Sequence, residues 1–376
     1  MRTRHVALLG ALALAAVTGC SSTKSTASSS STPVDKTSQA AAAERAAAPF
    51  LRPATGLDID TPLKQAPAKG KRVFWLEGNN GGAAPITPGF KAATAALGWT
   101  LKVLSYDPAD PQSASSALQQ AVSQKADFIA SSGLEAPLLG EGLQAAKSAG
   151  IPVFQIATLD KAGEKANGIY AVVNRGEQIR SNMAGMAAYT VADSGATANV
   201  LNVTLPDYKI LATAAADYRD SLTKTCSACT YDQLGISLQE FVSGGVPSQV
   251  VSYLQTHPDV NYLMLSLGAL STGVDQALDT AGLKKRVKII GTAPALANVQ
   301  GLIDGKESAW ILLPEALQAW YVVDAMARYS EGMDLKPIQT ADLPVEIWTS
   351  TNVPKPAHEY DGPAGYAATW KALWKV

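Results

Sequence analysis

The chain has 376 residues and an almost even charge balance, with 31 Lys and Arg against 32 Asp and Glu. This balance excludes the strongly basic surface that holds a phosphate backbone, so we expect no nucleic-acid partner. Three His and three Cys exclude a Cys/His-rich zinc module and a disulfide-dense scaffold. A hydrophobic content of 47% allows large buried cores, and the length is typical of about two domains.

The first residues predict a secretory signal. Arg2 and Arg4 precede an uncharged apolar run over residues 6–17, which is followed by Gly19 and Cys20. This pattern predicts a signal peptide over residues 1–19, because the run is too short for a permanent membrane helix. The ending resembles the bacterial lipobox, which implies a lipid anchor on Cys20; the alternative is an ordinary signal with an incidental Cys. We expect an extracytoplasmic protein anchored by lipid to the cell membrane.

The segment after the signal is poor in large apolar side chains. Residues 21–48 are rich in Ser, Thr and Ala, and residues 49–68 contain four prolines. Such a composition buries too little surface to offset chain entropy, although residues 40–48 could form a transient helix. We therefore predict a lipid-anchored disordered tether over residues 20–68.

From Lys71 onward, short apolar runs alternate with helical patterns. This alternation predicts parallel sheets covered by helices on both faces, and two successive series predict an α/β fold with two doubly wound lobes. The predicted strands cover residues 72–76, 100–106, 127–130, 153–156, 169–173, 199–203, 262–265, 287–290 and 309–313. The predicted helices cover residues 87–97, 110–122, 137–149, 178–192, 212–224, 247–254, 271–281, 314–330 and 364–373.

The order and spacing of several short motifs resemble the type I periplasmic binding proteins of the ribose- and galactose-binding kind. The motifs are Gly89-Phe90, the Gly-Ile-Pro-Val run at 150–153, the His-Pro-Asp-Val turn at 257–260, and Ile289-Ile290-Gly291. The resemblance implies three crossings between lobes, near 173–174, 313–314 and 346–349. Lobe 1 is then expected over residues 69–173 plus 314–346, and lobe 2 over residues 174–313 plus 347–376.

The resemblance also implies a function. It predicts the substrate-binding lipoprotein of an ABC importer, a monomer that closes its two lobes around a small molecule and delivers it to ABC permease subunits. The alternative is a ligand-sensing lipoprotein that presents its bound state to a membrane receptor. We expect no cofactor, no metal and no enzymatic activity, because no known catalytic motif is complete. The Ser-x-x-Lys pattern of Ser221 and Lys224, for example, lacks its partner motifs.

The sequence departs from the sugar-binding pattern where the family contacts its ligand. The family's asparagine pair is kept, but Gly and Ala replace the aromatic residues that stack on the sugar. Small or apolar residues also stand where the family places charged or amide side chains. The positions expected to bind ligand are Glu77, Asn79, Asn80, Ala157, Thr158, Leu267, Gly268, Ala293 and Leu312.

This set predicts a ligand more apolar than a free sugar. A sugar hydroxyl desolvated without a partner costs roughly 1–3 kcal/mol, whereas apolar surface gains roughly 25 cal/mol per Å² on burial. The alternative is an alignment shifted by one or two residues. The contacts would then come from a different set of residues: Asn174, Tyr208, Asp207, Glu135 or Trp310.

Cys226 and Cys229 form a Cys-x-x-Cys pattern. A redox pair would need an activated thiol at a helix N-terminus, but this pair follows a predicted helix. In an exported chain, a local disulfide is the favoured interpretation.

Overall fold

The computed structural model describes residues 35–110 and 112–376 of the chain. The predicted signal peptide over residues 1–19 and the predicted anchor Cys20 lie outside the described residues. The first described element is helix α1 (Lys36–Ala47).

Lobe 1 is built on a five-stranded parallel sheet in the order β2-β1-β3-β4-β5. One apolar core lies on each face of this sheet. Its elements, in chain order, are β1 (Arg72–Gly78), α2 (Thr87–Ala96), β2 (Thr100–Tyr106), α3 (Ser113–Ser123), β3 (Phe128–Ser132), α4 (Ala136–Ser148), β4 (Val153–Ile156) and β5 (Ile169–Val173).

Lobe 2 continues the alternation on a second sheet, with a core on each face. Its elements are α5 (Gly176–Asp193), β6 (Asn199–Thr204), α6 (Lys209–Thr225), β7 (Thr230–Gly235), α7 (Leu238–Val242), α8 (Val246–Thr256), β8 (Tyr262–Leu265), α9 (Val274–Thr280), β9 (Lys288–Thr292), α10 (Leu296–Ile303) and β10 (Ala309–Leu312).

The chain then returns to lobe 1 as the long helix α11 (Glu315–Ser330), followed by α12 (Lys336–Thr340). Strand β11 (Glu346–Thr349) pairs antiparallel with β10, which completes the lobe 2 sheet in the order β11-β10-β9-β8-β6-β7. Helix α11 is buried over nearly its whole length and packs closely on α2, because Gly89 leaves room for the backbone of Ala316. The last element is α13 (Tyr366–Trp374).

The predicted α/β fold with two doubly wound lobes is confirmed. The prediction missed β7, α7, α10 and α12, and it placed a crossing between lobes, not a strand, at β11. Strand β7 is an edge strand with mostly exposed or half-buried positions, so it lacks the continuous apolar run of a buried strand. The three missed helices are at most eight residues long, which is too short for a clear helical period.

Residues 35–63 correct the prediction of a disordered tether. Helix α1 packs against α5 in lobe 2, and the Phe50 ring lies against Gly185 on that helix. The chain then reaches lobe 1, where Ile59 and Leu63 are buried in the core. The prediction failed here because these few apolar side chains gain their stability from tertiary contacts rather than from a local pattern.

The C-terminal helix corrects the predicted lobe boundary. Residues 347–376 were assigned to lobe 2, but Trp370 and Trp374 on α13 are fully buried in the lobe 1 core against α11. The predicted third crossing also shifts slightly, because β11 already belongs to the lobe 2 sheet. The chain therefore passes between the lobes twice more than the family pattern implies, once before Ile59 and once before α13.

A buried ion pair joins these terminal segments to lobe 1. Asp324 and Arg328 on α11 lie 2.5 Å apart and are at most 1% exposed. The Arg328 guanidinium also donates to the backbone oxygen of Thr61 at 2.6 Å, and the Trp374 indole donates to Asp324 at 2.8 Å. One ion pair thus binds a segment that precedes the first strand and a segment that follows the last.

Within the residues that the structure describes, no helix is both long enough and apolar enough to cross a membrane.

The packing of residues 35–63 predicts a stability effect. Replacing Leu63 by Ala should lower the free energy of unfolding by about 2–5 kcal/mol, because a fully buried side chain is lost and a cavity remains. Chemical denaturation measures the change. The matched control is Gln65→Ala at an exposed position two residues after Leu63, and equal stabilities of the two variants would contradict the packed arrangement.

Candidate functional site

The carboxyl ends of the strands in both sheets border a cleft between the lobes, where doubly wound folds bind their ligands. Three cavities occupy this cleft and share lining residues: an inner cavity of about 160 Å³, a side cavity of about 200 Å³ and an outer groove of about 1300 Å³. Lobe 1 contributes Gly82 to both of the smaller cavities, and lobe 2 contributes Leu267 and Ala293.

The inner cavity is lined mainly by apolar side chains. Its polar groups come from Ser132, Asn174, Asn182, Ser266, Thr292, Glu315 and Gln318. Its apolar lining consists of Ile86, Ala157, Ile179, Met183, Ile210, Leu211, Ala214, Leu267, Ala293, Ile311 and Leu313. A molecule in this cavity would gain mostly from burial of apolar surface and would be oriented by a few polar contacts.

Three non-glycine residues with positive φ line the inner cavity. Ala157 follows β4 (φ 53°), Asn174 follows β5 (φ 54°) and Ala293 follows β9 (φ 47°). A left-handed conformation costs a non-glycine residue of order 1–3 kcal/mol and concentrates at functional sites. The chain therefore turns sharply at the ends of two neighbouring strands of lobe 1 and one strand of lobe 2, and these turns place backbone around the cavity.

The outer groove contains the asparagine pair that the sequence analysis predicted to bind ligand. Asn79 and Asn80 line it from lobe 1, and Asp207 lines it from lobe 2. The Asn80 side chain donates to the Tyr208 hydroxyl at 2.9 Å, so the two lobes are hydrogen-bonded across the cleft.

Five further residues of the predicted set do not line the outer groove: four line the smaller cavities, and Glu77 lies outside all three. Ala157, Leu267 and Ala293 line the inner cavity, and Leu312 lines the side cavity. Glu77 does not line any of the three cavities in the described part of the chain. Its carboxylate accepts from the Thr87 hydroxyl and the Trp75 indole, which fixes the start of α2.

The remaining two predicted positions support the cleft rather than line it. Thr158 is fully buried and donates to Gln155 at 3.1 Å. Gly268 is buried and donates its backbone N–H to the carbonyl of Ala293, so it holds the turn beneath the cavity.

Some residues of the alternative set, which a shifted alignment would place at the ligand, lie at the cleft, and others do not. Asn174 and Asp207 line the cleft, and Tyr208 bridges it. Glu135 instead accepts from the backbone of Leu159, and burial raises the pKa of this carboxyl. Trp310 is fully buried and donates to Glu307 at 2.6 Å.

The sequence prediction missed Glu315 and Gln318. Glu315 stands in the first turn of α11, where an acidic residue is ordinary because it favours the helix dipole. Only the packing of α11 against the cleft shows that its carboxyl lines both the inner and the side cavity.

Glu315 is electrostatically uncompensated. Gln318 donates to its carboxyl at 2.5 Å, but no cation in the described residues forms an ion pair with it. The pKa of Glu315 is raised to about 7, mainly by burial; the hydrogen bond from Gln318 lowers the pKa in part, and the nearby Glu359 adds a smaller increase. The carboxyl therefore lies in a region where ionisation is costly unless a positive group is added.

Two acceptor atoms near Glu315 are also unpaired. Asn174 is 3% exposed and Gln318 is 2% exposed. The Oδ1 atom of Asn174 and the Oε1 atom of Gln318 find no hydrogen-bond donor among residues 35–110 and 112–376. A buried acceptor without a donor costs roughly 1–3 kcal/mol, so both positions favour a hydrogen-bond donor in the cavity.

The described residues also bear on the predictions for metal binding and for the cysteine pair. They contain no cluster of His, Cys, Asp and Glu side chains suited to a metal ion. Cys226 and Cys229 are joined by a disulfide that closes the turn between α6 and β7.

Two α/β lobes with mostly parallel sheets and a cavity lined by both of them form the architecture of a two-lobed binding protein. The family model described as a periplasmic binding protein domain matches residues 73–334, and the chain belongs to this family. Binding, rather than catalysis, is the activity of this family.

Solved structures show the same fold at low sequence identity. A glucose-galactose binding protein from Geobacillus stearothermophilus is 18% identical with a TM-score of 0.63, covering 76% of this chain and 100% of its own. A carbohydrate transporter from Acidothermus cellulolyticus, in complex with myo-inositol, is 21% identical with a TM-score of 0.62, covering 82% and 100%. A solute-binding protein from Burkholderia graminis, in complex with D-arabinose, is 17% identical with a TM-score of 0.66, covering 77% and 99%. No curated protein matches the chain.

The environment of Glu315 predicts a pH-dependent stability. The pKa of this carboxyl is about 4.5 in the unfolded chain and about 7 in the folded protein. Ionisation therefore lowers the free energy of unfolding as the pH rises from about 4.5 through 7. Glu315→Gln should therefore raise the free energy of unfolding by on the order of 1–3 kcal/mol at pH 8 and by little at pH 4.5.

Urea denaturation of the ligand-free protein at both pH values measures this effect. The control is Glu141→Gln, which makes the same change at an exposed position of α4. A lower stability of Glu315→Gln at pH 8 would contradict an uncompensated carboxyl.

Proposed function

We propose that the protein is the extracytoplasmic substrate-binding component of an ABC-type importer. In this role it captures a small molecule in the interlobe cleft as a monomer and delivers it to the permease subunits. The observation that carries the proposal is the inner cavity, to which both lobes contribute lining residues. A ligand there stabilises the closed form because it contacts both lobes at once.

We infer a ligand with more apolar surface than a free sugar. Similar structures are described with galactose, arabinose and myo-inositol as partners or ligands, all of which are rich in hydroxyl groups. Here Ile179, Met183 and Ile210 extend the apolar lining from lobe 2. Each hydroxyl group that faced this surface would lose its hydration without a partner. An alicyclic or aromatic body with a few polar atoms is the better complement.

The membrane connection rests on Cys20. We infer from the lipobox-like ending that the chain is cleaved before this residue and lipidated on its thiol. Two anchoring acyl chains would hold the protein stably on a membrane. The first described helix, α1, starts only 16 positions after Cys20 at Lys36 and packs on lobe 2. The binding lobes would therefore remain close to the membrane that contains the permease.

Ligand capture is tested by native mass spectrometry on a chain that starts at Asp35. This start keeps residues 35–63, which belong to the fold. We expect a bound apolar or alicyclic molecule, either co-purified or selected from a metabolite library. Small-angle scattering should show that the radius of gyration falls when it binds.

Free sugars serve as the comparison in the same assay. D-Glucose, D-arabinose and myo-inositol should bind at least tenfold more weakly than the selected compound. Tight binding of one of these sugars would contradict the apolar ligand, while turnover of any bound compound would contradict a binding function.

Lipidation is tested by replacing Cys20 with Ser. Labelling with a radioactive fatty acid should be lost, and the protein should move from the membrane fraction to the soluble fraction, since the acyl chains would be missing. Wild-type protein is the control. Retention of Cys20→Ser protein in the membrane fraction would contradict anchoring at this residue.

A further inference from the structure

The interlobe cleft has a marked electrostatic asymmetry. Acidic residues line all three of its cavities: Asp107 and Asp207 in the outer groove, Glu359 and Asp361 in the side cavity, and Glu315 in both smaller cavities. No Lys, Arg or His lines any of these cavities within the described residues. A cleft lined by one sign of charge concentrates ligands of the opposite sign.

Glu315, the innermost of these acids, is half-buried, whereas the other four are exposed. Among the described residues, Glu315 accepts a hydrogen bond only from Gln318, and burial is the main cause of its raised pKa. An ionised carboxylate in such a place is stable only when it is paired and hydrogen-bonded. The protein itself supplies one amide donor there and no cation among the residues described.

The unpaired polar atoms near Glu315 also favour a hydrogen-bond donor in the cavity. The unpaired Oδ1 of Asn174 and Oε1 of Gln318 accept hydrogen bonds, and both residues line the same inner cavity as Glu315. A primary ammonium group carries three donors, one positive charge and no acceptor. It matches two unpaired acceptors and one carboxylate without leaving a polar atom of its own unsatisfied.

From this arrangement we propose that Glu315 is the counter-ion of a protonated amine, and that the protein captures an amine with an apolar body. The proposal rests on the proposed function, and it names the class of the captured ligand. Asn174 and Gln318 receive the remaining N–H groups, while the aliphatic lining takes the body. A quaternary ammonium is a poor fit, because the described lining of the inner cavity contains no aromatic ring to hold it.

The test compares amines with alcohols of the same shape. The probes are 2-phenylethylamine with 2-phenylethanol, and cyclohexylmethylamine with cyclohexylmethanol, measured by isothermal titration calorimetry on the chain from Asp35. We expect at least one amine to bind tenfold or more tightly than its alcohol. In Glu315→Gln this preference should disappear, whereas the exposed control Glu141→Gln should keep it.

The pH dependence has a defined sign. The amines stay protonated up to pH 8, since an alkyl ammonium has a pKa near that of lysine, about 10.4. Glu315 becomes a carboxylate as pH rises through about 7, so amine affinity should increase between pH 6 and pH 8. Glu359, Tyr360 and Asp361 face the same side cavity, and Glu359→Gln should retain the rise.

The outcomes separate this proposal from the broader one. Equal binding of amine and alcohol, no binding of either amine, or an amine affinity that falls from pH 6 to pH 8 would overturn the role of Glu315. If myo-inositol or D-glucose closes the lobes and binds Glu315→Gln as well as wild type, ligand capture stands and the amine is excluded. If no compound of either kind closes the lobes, both proposals fail.

Discussion

The structure depends on helix α11 and on the ion pair inside it. Asp324 and Arg328 are buried together, and removal of one partner from such a pair costs about 3–5 kcal/mol because the other charge is left alone. The pair is satisfied only when Thr61 and Trp374 are in place, so it requires the segments before and after the two-lobed body. The charges of the pair are therefore fully hydrogen-bonded only when both chain ends are packed on α11.

The same helix connects the core to the cleft. Its first turn carries Glu315 and Gln318 into the inner cavity, and its later turns are held by the ion pair and by the tryptophans of α13. An unpaired acid at the start of the helix is tolerated because the rest of the helix is anchored so firmly. Binding sites commonly carry such a local cost, which the surrounding packing offsets.

The connections between the lobes have a consequence for motion. Hinge closure requires a few segments to absorb changes in φ and ψ while the lobes stay rigid. In this chain the segments before Ile59 and before α13 also join the lobes, in addition to the three crossings of the family pattern. Any hinge motion of the lobes must therefore also be absorbed by these two segments.

The sequence by itself determined the two α/β lobes, because period-2 and period-3.6 patterns are local properties of the chain. The resemblance to a family, rather than a local pattern, singled out Asn79, Ala157, Leu267 and Ala293, which line the cleft. Tertiary structure decided the rest. Residues 35–63 and α13 are ordered by contacts with distant elements, which their own composition does not reveal. Glu315 looks like an ordinary first-turn acid in the sequence. It becomes a candidate ligand contact only because folding places it in a cavity lined by both lobes, where no cation of the described chain forms an ion pair with it.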